Sequence, residues 1–458
     1  VINPLIFREY DIRGRVGEDL TPGTVVSIGK GFGTYAARRG VHALMVGRDC
    51  RLSSPSFRDA LVEGLLSAGM DVVDVGICPT PLLYFSILRF GADGGVMVTG
   101  SHNPPEFNGF KLCVGPATLY GEKIREIRRI IEREDFATGK GRESRRDVVP
   151  DYREYVMSNI SIPRRLKVVV DAGNGTAGPV APPLFRALGM EVVELFCEMD
   201  GRFPHHFPDP TVPENLASLV RVVRETNADV GVAYDGDADR IGAVNEKGEV
   251  LFGDSLLTLF ARDILRRKPG ATVISEVKAS QNLYDDIVRH GGKPIMWKAG
   301  HSLIKKKMKE ESAEVAGEMS GHIFFADRFL GFDDAIYASA RLFEILANSD
   351  RPLSEMLSDL PPLVATPEIR VECPDEIKFR VAERVAEIVR PQAREVIDVD
   401  GVRALFDGGW GLVRASNTQP VLVLRFEGKD RETVDRIRAV MEKAVETARD
   451  GISVTDSR

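Results

Sequence analysis

Along the chain, short apolar runs alternate with longer stretches in which apolar positions recur at helical spacing. Thr21-Pro22 supplies an N-cap and a first-turn proline, and Val25, Ile28, Phe32 and Tyr35 then share one face, predicting a helix to about Arg39. Val41 to Val46 predicts a strand ending at Gly47-Arg48-Asp49, Ser54-Pro55 a capped helix that stops at Gly69, and Asp71 to Val75 the next strand. Thr80-Pro81 starts a third helix. Ala92-Asp93 then leads into Gly95-Val96-Met97-Val98, whose β-branched composition and bounding glycines predict a buried strand. At its end stands Thr99-Gly100-Ser101-His102-Asn103-Pro104, continuing as Pro105-Glu106-Phe107-Asn108-Gly109-Phe110-Lys111. Gly100 permits a sharp turn and Asn103-Pro104-Pro105 blocks an immediate helix, so Ser101 is expected on a rigid, exposed loop.

The same order of elements recurs, an internal repeat. Leu166 to Val170 predicts a strand ending at Asp171-Ala172-Gly173-Asn174; a helix ending at Leu188-Gly189-Met190 and a strand from Glu191 to Leu195 follow. A helix from about Asn215 and a strand through Val230-Gly231-Val232 then deliver Asp235-Gly236-Asp237-Ala238-Asp239-Arg240 to the slot that Ser101 occupies in the first copy. A fainter third copy runs through strands at Ala271 to Ser275 and Pro294 to Trp297, a helix from Ser302 to Glu311 and a strand from Ala313 to Ala316, delivering Gly317-Glu318-Met319-Ser320-Gly321-His322. Three loops are therefore expected at equivalent strand ends, where α/β sheets keep their binding sites. After Pro361-Pro362 the pattern changes to a helix near Asp375 to Val389, strands near Val396 and Leu412 and from Val421 to Phe426, and a last helix from about Glu432 to Arg449. The fold class expected is α/β: three similar α/β domains, 1–146, 147–250 and 251–364, with mixed sheets flanked by helices, and a C-terminal α+β domain, 365–458. Gly139 to Asp147 reads as a solvated connector.

Composition narrows the function. A formal charge of −7 with 43% hydrophobic and 28% charged residues argues against broad nucleic-acid binding, so any anion site must be local. No apolar run has the length a membrane span needs, and nothing signal-like precedes Asn3-Pro4. Five dispersed cysteines without a C-x-x-C pair fit a reducing compartment, and the protein is expected in the cytoplasm, as a monomer or at most a dimer.

Ser101 is the candidate nucleophile, with His102 and Lys111 near enough to manage its proton or balance the charge of a phosphate carried on it; the bland alternative is a polar turn. Asp235, Asp237 and Asp239 alternate so that their carboxylates can turn inward on one hard cation. An EF-hand reading would use Glu246 at the twelfth position, but Arg240 stands where the turn glycine belongs and a strand precedes the loop. A solvated acidic turn is the other alternative. Arg414, Ser416, Asn417 and Thr418 match the acceptor oxygens of a phosphate, or else form an ordinary β-turn. Glu318, Ser320 and His322 lie in a glycine-bounded loop suited to sugar hydroxyls, and Lys298-Ala299-Gly300-His301 adds a cation and an imidazole.

Taken together, Phe7-Arg8-Glu9-Tyr10-Asp11-Ile12-Arg13-Gly14, the Ser101 motif, Asp235 to Arg240, Gly317 to His322 and Arg414 to Pro420 resemble, in order and spacing, the α-D-phosphohexomutase family. The Gly317-Glu318-Met319-Ser320-Gly321-His322 and Ser416-Asn417-Thr418-Gln419-Pro420 forms are most similar to its phosphomannomutase/phosphoglucomutase branch; a phosphoglucosamine mutase, which would typically carry glutamine in place of Met319, is the alternative within the family. The resemblance implies a fourth domain like the TATA-binding-protein fold. It implies an isomerase of carbohydrate metabolism, acting on a hexose monophosphate through a phosphoserine at Ser101 and a hexose 1,6-bisphosphate intermediate. Mg²⁺ would be held by Ser101, Asp235, Asp237 and Asp239. His102 and Lys111 would take the proton-transfer role, with Arg13 among the catalytic groups. Arg414, Ser416, Asn417 and Thr418 would hold the non-reacting phosphate, and Glu318 and Ser320 the sugar hydroxyls. Tyr10, Arg240, Lys278, His301 and His322 would line the rest of the cleft. A metal-dependent sugar phosphatase or a sugar-phosphate sensor remains the alternative of another class.

Overall fold

The structure is a computed structural model that describes residues 2–417 and 419–452. Three of its sheets share one strand order. In the first, Asp71–Ile77, Ala43–Arg48 and Gly94–Val98 lie side by side and parallel, and Phe107–Val114 pairs antiparallel with Gly94–Val98. The second repeats this with Glu191–Leu195, Lys167–Asp171, Val230–Tyr234 and antiparallel Ile241–Asn245. The third uses Lys293–Trp297, Thr272–Glu276, Val315–Gly317 and antiparallel Ile323–Phe325. The repeat read from the sequence is thus a repeat of topology. In each copy the first strand is flanked by the second on one side and the third on the other, so the loops after strands one and three diverge at a topological switch point.

Strand periodicity explains how the copies pack. Successive side chains face opposite ways. Met45, Met97, Val168, Val170, Val230, Val232 and Val273 point into one core shared by all three units, whereas Leu44, Val46, Val96, Val98, Val169 and Ile274 point to each unit's own helices. The shared core is built around the helix Ala335–Ala347, every residue of which is buried. Phe343 meets Phe185 of the second unit edge to face at 5.0 Å, and Tyr234 donates to Ser339 at 2.7 Å.

The fourth unit is an antiparallel sheet of Val364–Ala365, Val421–Gly428, Gly409–Ala415, Val402–Phe406 and Glu395–Ile397, with Ile369–Glu372 also beside Val421–Gly428. The helices Lys378–Val389 and Arg431–Asp450 cover one face. Through the other face Trp410 and Leu412 pack on Val277 of the third unit, while Arg403, wholly buried, donates to the carbonyls of Val277 and Ala279 at 2.7 Å each.

Two local expectations change. Glu143–Arg145, within the supposed connector, is a solvent-exposed edge strand parallel to Asp71–Ile77; Arg58 reaches both Asp74 and Glu143, which supplies charge pairing where apolar residues are missing. Ser54 does not cap its helix, whose N-cap position is Ser53. Its hydroxyl turns to Asp49 Oδ1 at 2.5 Å instead.

Candidate active site

The strand Gly94–Val98 ends at a loop whose course is fixed from below by one side chain. Arg51, from the loop after the unit's first strand, is 1% exposed and donates to four carbonyls of this segment: Ser101 at 2.9 Å, Asn103 at 2.5 Å, Pro104 at 2.6 Å and Phe107 at 3.0 Å. Asp49 balances its charge at 3.1 Å and also accepts from the Gly100 amide. A Cβ at position 100 would lie 2.3 Å from the Arg51 guanidinium, so the packing requires glycine there. Ser101 itself sits at φ +51°, a left-handed conformation that a non-glycine residue adopts only when its surroundings impose it. The serine is 3% exposed rather than standing free on the loop, because the aspartate loop closes over it.

That loop follows Val230–Tyr234. Asp235 Oδ2 accepts from Ser101 Oγ at 2.7 Å, while its Oδ1 accepts from the amides of Asp239 and Arg240. A Cβ at Gly236 would fall 2.6 Å from the Ser101 carbonyl oxygen, so this approach also depends on glycine. Asp237 accepts from Thr80 Oγ1 at 2.5 Å and Lys111 Nζ at 2.7 Å, and Lys111 pairs with Asp239 as well. All three aspartates are fully buried. Burial and the charges of Asp237 and Asp239 push Asp235 well above the usual carboxylate range. Asp237 moves the other way: burial opposes its ionisation, but the charge and hydrogen bond of Lys111 outweigh it. Burial works against Lys111 too, yet Asp237 and Asp239 hold its pKa above the ordinary lysine value.

The three carboxylates can converge on a cation. Asp237 Oδ1 and Asp239 Oδ1 are buried without a hydrogen-bond partner among the described residues. An all-oxygen donor set with two orphaned oxygens fits a hard divalent ion. The EF-hand alternative finds no support, since Glu246 points to Ser354.

His102 Nδ1 lies 3.1 Å from Ser101 Oγ, and burial followed by the positive charges of Arg240 and Arg13 holds its pKa well below the ordinary histidine value. Arg13 pairs with Asp11, leaving its buried Nε unpartnered. In the third copy Glu318 Oε1 accepts from the Gly300 amide at 2.7 Å, and His322 Nε2 accepts from Arg240 Nε at 3.1 Å. His322 and His301 stack with centroids 5.4 Å apart, both near Asp333. Ser320 is half-buried on the same loop. Lys278 pairs with Glu368 at 2.7 Å.

The fourth unit reaches this cluster through Arg414 to Asn417. Arg414 Nε donates to Asp400 at 3.0 Å, Asp400 accepts from the Ala299 amide, and Asn417 donates to the Tyr10 hydroxyl at 2.8 Å. Tyr10 in turn donates to the Ala299 carbonyl at 3.0 Å. Ser416 is buried beside Arg414. Thr418 lies outside the described residues.

Sequence reasoning picked out the third-strand loops and missed what holds them. In each copy an acidic residue at or just past the end of the first strand is buried and accepts the amide two residues on: Asp49 from Arg51, Asp171 from Gly173, Glu276 from Lys278. Each first loop then touches its third loop, through Arg51 to Ser101, Thr176 to the Gly236 carbonyl, and Glu276 to the Met319 amide. Superposing the three sequence copies brings these acids together, and that is the signal that could have found them.

Comparison with known proteins agrees with this architecture. Models of the four phosphoglucomutase/phosphomannomutase domains match in order: alpha/beta/alpha domain I at residues 4–138, domain II at 150–248, domain III at 252–364 and the C-terminal domain at 368–444. A phosphomannomutase/phosphoglucomutase of Pseudomonas aeruginosa is 47% identical over 446 residues, covering 97% of this chain and 96% of its own. A phosphoglucomutase of Neisseria gonorrhoeae is 44% identical over 446 residues, covering 96% of this chain and 97% of its own. The crystal structure of a phosphoglucomutase/phosphomannomutase family protein from Burkholderia thailandensis superposes with a TM-score of 0.92 at 44% identity, over 99% of both chains.

Proposed function

The chain belongs to the phosphoglucomutase/phosphomannomutase family, and from that premise we propose how its residues move a phosphoryl group between the 1- and 6-positions of a hexose phosphate. It is a hexose-phosphate mutase, acting on mannose phosphate, glucose phosphate or both. In the first half-reaction the bond between phosphorus and Ser101 Oγ breaks as one forms to the free sugar hydroxyl, giving a hexose 1,6-bisphosphate. In the second the bisphosphate presents its other phosphoryl group, and Ser101 Oγ takes it back. Asp235, Asp237 and Asp239 would hold Mg²⁺, which when bound offsets charge on the transferring group.

In the first half-reaction His102, the neutral imidazole 3.1 Å from Ser101 Oγ, relays the proton of the attacking sugar hydroxyl to the departing serine oxygen; in the second it takes the proton from Ser101 Oγ and returns it to the sugar oxygen that is released. Lys111, held charged by its carboxylate partners, acts as a fixed cation facing the phosphoryl oxygens. Arg13 and Arg240 add positive charge on the same side, and Arg414 with Ser416, Asn417 and Thr418 clamps the phosphate that is not reacting. Glu318 and Ser320 hold sugar hydroxyls, and Tyr10, Lys278, His301 and His322 close the cleft. Five thiols free of disulfides and no helix among the described residues long and apolar enough to cross a membrane accord with a cytoplasmic enzyme.

The observation that carries this reading is the 2.7 Å contact between Ser101 Oγ and Asp235 Oδ2, which brings the loops of two copies together at one point. Intact-mass measurement of the purified protein tests it. A fraction heavier by one phosphoryl group, mapped to Ser101 and absent from a Ser101→Ala variant that no longer turns over, is the expected result. Ordinary turnover by Ser101→Ala would remove the assignment.

A further inference from the structure

A second cavity, of about 690 Å³, opens between the helices Gly253–Arg267 and Ala335–Ala347 at the ends remote from the cleft. Their near ends abut the cleft. Gly253 packs on the Glu318 carbonyl, and the Ala335 amide donates to the Ala238 carbonyl at 3.3 Å. At about 1.5 Å per residue, the far end of the longer helix lies roughly 20 Å from the sugar loop. The cavity is therefore separate from the site already described.

Its lining is rich in guanidinium. Arg262 pairs with Asp286 at 2.7 Å and Asp359 at 2.9 Å, and Arg267 with Asp327 at 2.8 Å and, within the lining itself, with Asp263 at 3.1 Å. Arg328 pairs with Glu344 and also donates to the Asn159 carbonyl at 3.0 Å. Its backbone sits at φ +61°, the kind of strain that persists where a site constrains the chain. Two more arginines of the lining, Arg266 and Arg351, have no carboxylate partner among the described residues. The exposed Arg266 guanidinium makes no hydrogen bond to any of them, while that of Arg351, also exposed, donates to the Glu355 carbonyl and to Ser358. With the lining's own carboxylates, Asp263 and Glu344, already engaged by Arg267 and Arg328, the two exposed arginines leave the recess an excess of positive charge suited to an anion. The volume is that of a small-molecule site, and the planar forks of arginine match phosphate oxygens.

We propose that this cavity is a second anion site, taking a small phosphorylated metabolite with more than one charged group. Its recognition rests on Arg266 and Arg351.

Inorganic pyrophosphate is the probe, titrated calorimetrically in magnesium-free buffer. In an Arg414→Ala background, which weakens binding in the cleft, pyrophosphate should still bind. Adding Arg266→Ala and Arg351→Ala should weaken that binding at least tenfold, whereas adding Arg436→Ala, a fourth-domain control for bulk charge, should leave it unchanged. Arg266→Ala with Arg351→Ala in the otherwise native protein should turn over at the wild-type rate, which also reports that the fold is kept. The single Arg266→Ala variant, whose side chain holds nothing in place, serves if the pair does not fold. No pyrophosphate binding in the Arg414→Ala background, a smaller loss than tenfold from the pair, no loss from the single variant, or an equal loss from Arg436→Ala would overturn the proposal. None of these outcomes bears on the mutase reading, which is tested at Ser101.

Discussion

Arg51 decides where the nucleophile stands, because its one guanidinium ties the Ser101 carbonyl to those of Asn103, Pro104 and Phe107 further along the loop. Lysine keeps the charge beside Asp49 but offers no planar fork to span four acceptors, so Arg51→Lys should fold and lose at least tenfold in kcat. Steady-state kinetics beside a thermal melt checks this. Arg51→Ala leaves Asp49 buried and unpaired, at a cost of about 3 to 5 kcal/mol, and should show itself first as a lowered Tm. Asp237→Asn keeps the shape that accepts from Thr80 and Lys111 while removing a charge from the cation site. Its circular dichroism should match wild type and its kcat should fall by roughly a hundredfold or more, as expected when several kcal/mol of charge stabilisation is lost. Chelation should silence the wild-type enzyme and added Mg²⁺ restore it; indifference to both would exclude the metal assignment.

Among the elements, the helix Ala335–Ala347 is the one the sequence concealed most completely. Its polar positions Ser339, Arg341 and Glu344 read as a solvent face, whereas in the fold all three are buried and paired inside the protein, which nothing in the local pattern announces. Its N-cap, Asp334, accepts from the Tyr337 amide at 2.9 Å and the Tyr152 hydroxyl at 2.8 Å. Burial raises its pKa to about 7. Since an unfolded aspartate titrates near 3.9, the raised folded value favours the native state fully below about pH 4, and the contribution is lost as pH rises through 7. Asp334→Asn should therefore remove a downward slope: the Tm of wild type minus that of the variant should fall between pH 4.5 and 8. A constant difference would show that the carboxyl is ionised throughout. The repeat itself was legible because helix ends and the strand starts that follow them recur with the same punctuation at Ala68-Gly69-Met70 and Leu188-Gly189-Met190. What was not legible were contacts between copies: nothing local to Thr80-Pro81 says that the threonine serves Asp237 rather than a helix cap, or that Ser54 serves Asp49.

At the scale of the whole molecule the cleft is closed by polar bridges from the fourth unit to the first and third. Asn417 meets Tyr10, and Asp400 joins Arg414 to the Ala299 amide. A bisphosphate that must turn over needs these contacts to open and re-form. Arg414→Ala removes a charge-assisted bond worth about 1.5 to 3 kcal/mol, so apparent substrate affinity should fall roughly ten- to a hundredfold. The intermediate should also escape more often, and activity should respond more strongly to added hexose 1,6-bisphosphate. An unchanged KM with no greater response would place the clamp elsewhere. The core shared by the first three units has a further consequence, for synthesis. While a nascent chain is still short of Ala335, the inward faces bearing Val168, Val170, Val230 and Val232 have no lid, and the Tyr152 and Tyr234 hydroxyls have no acceptor. At about 5 to 20 residues per second, the stretch of chain between the end of the second sheet and the end of that helix takes several seconds to appear. The two leading units must wait for it, so ribosome-bound chains should stay protease-sensitive and dependent on chaperones until the third unit is out.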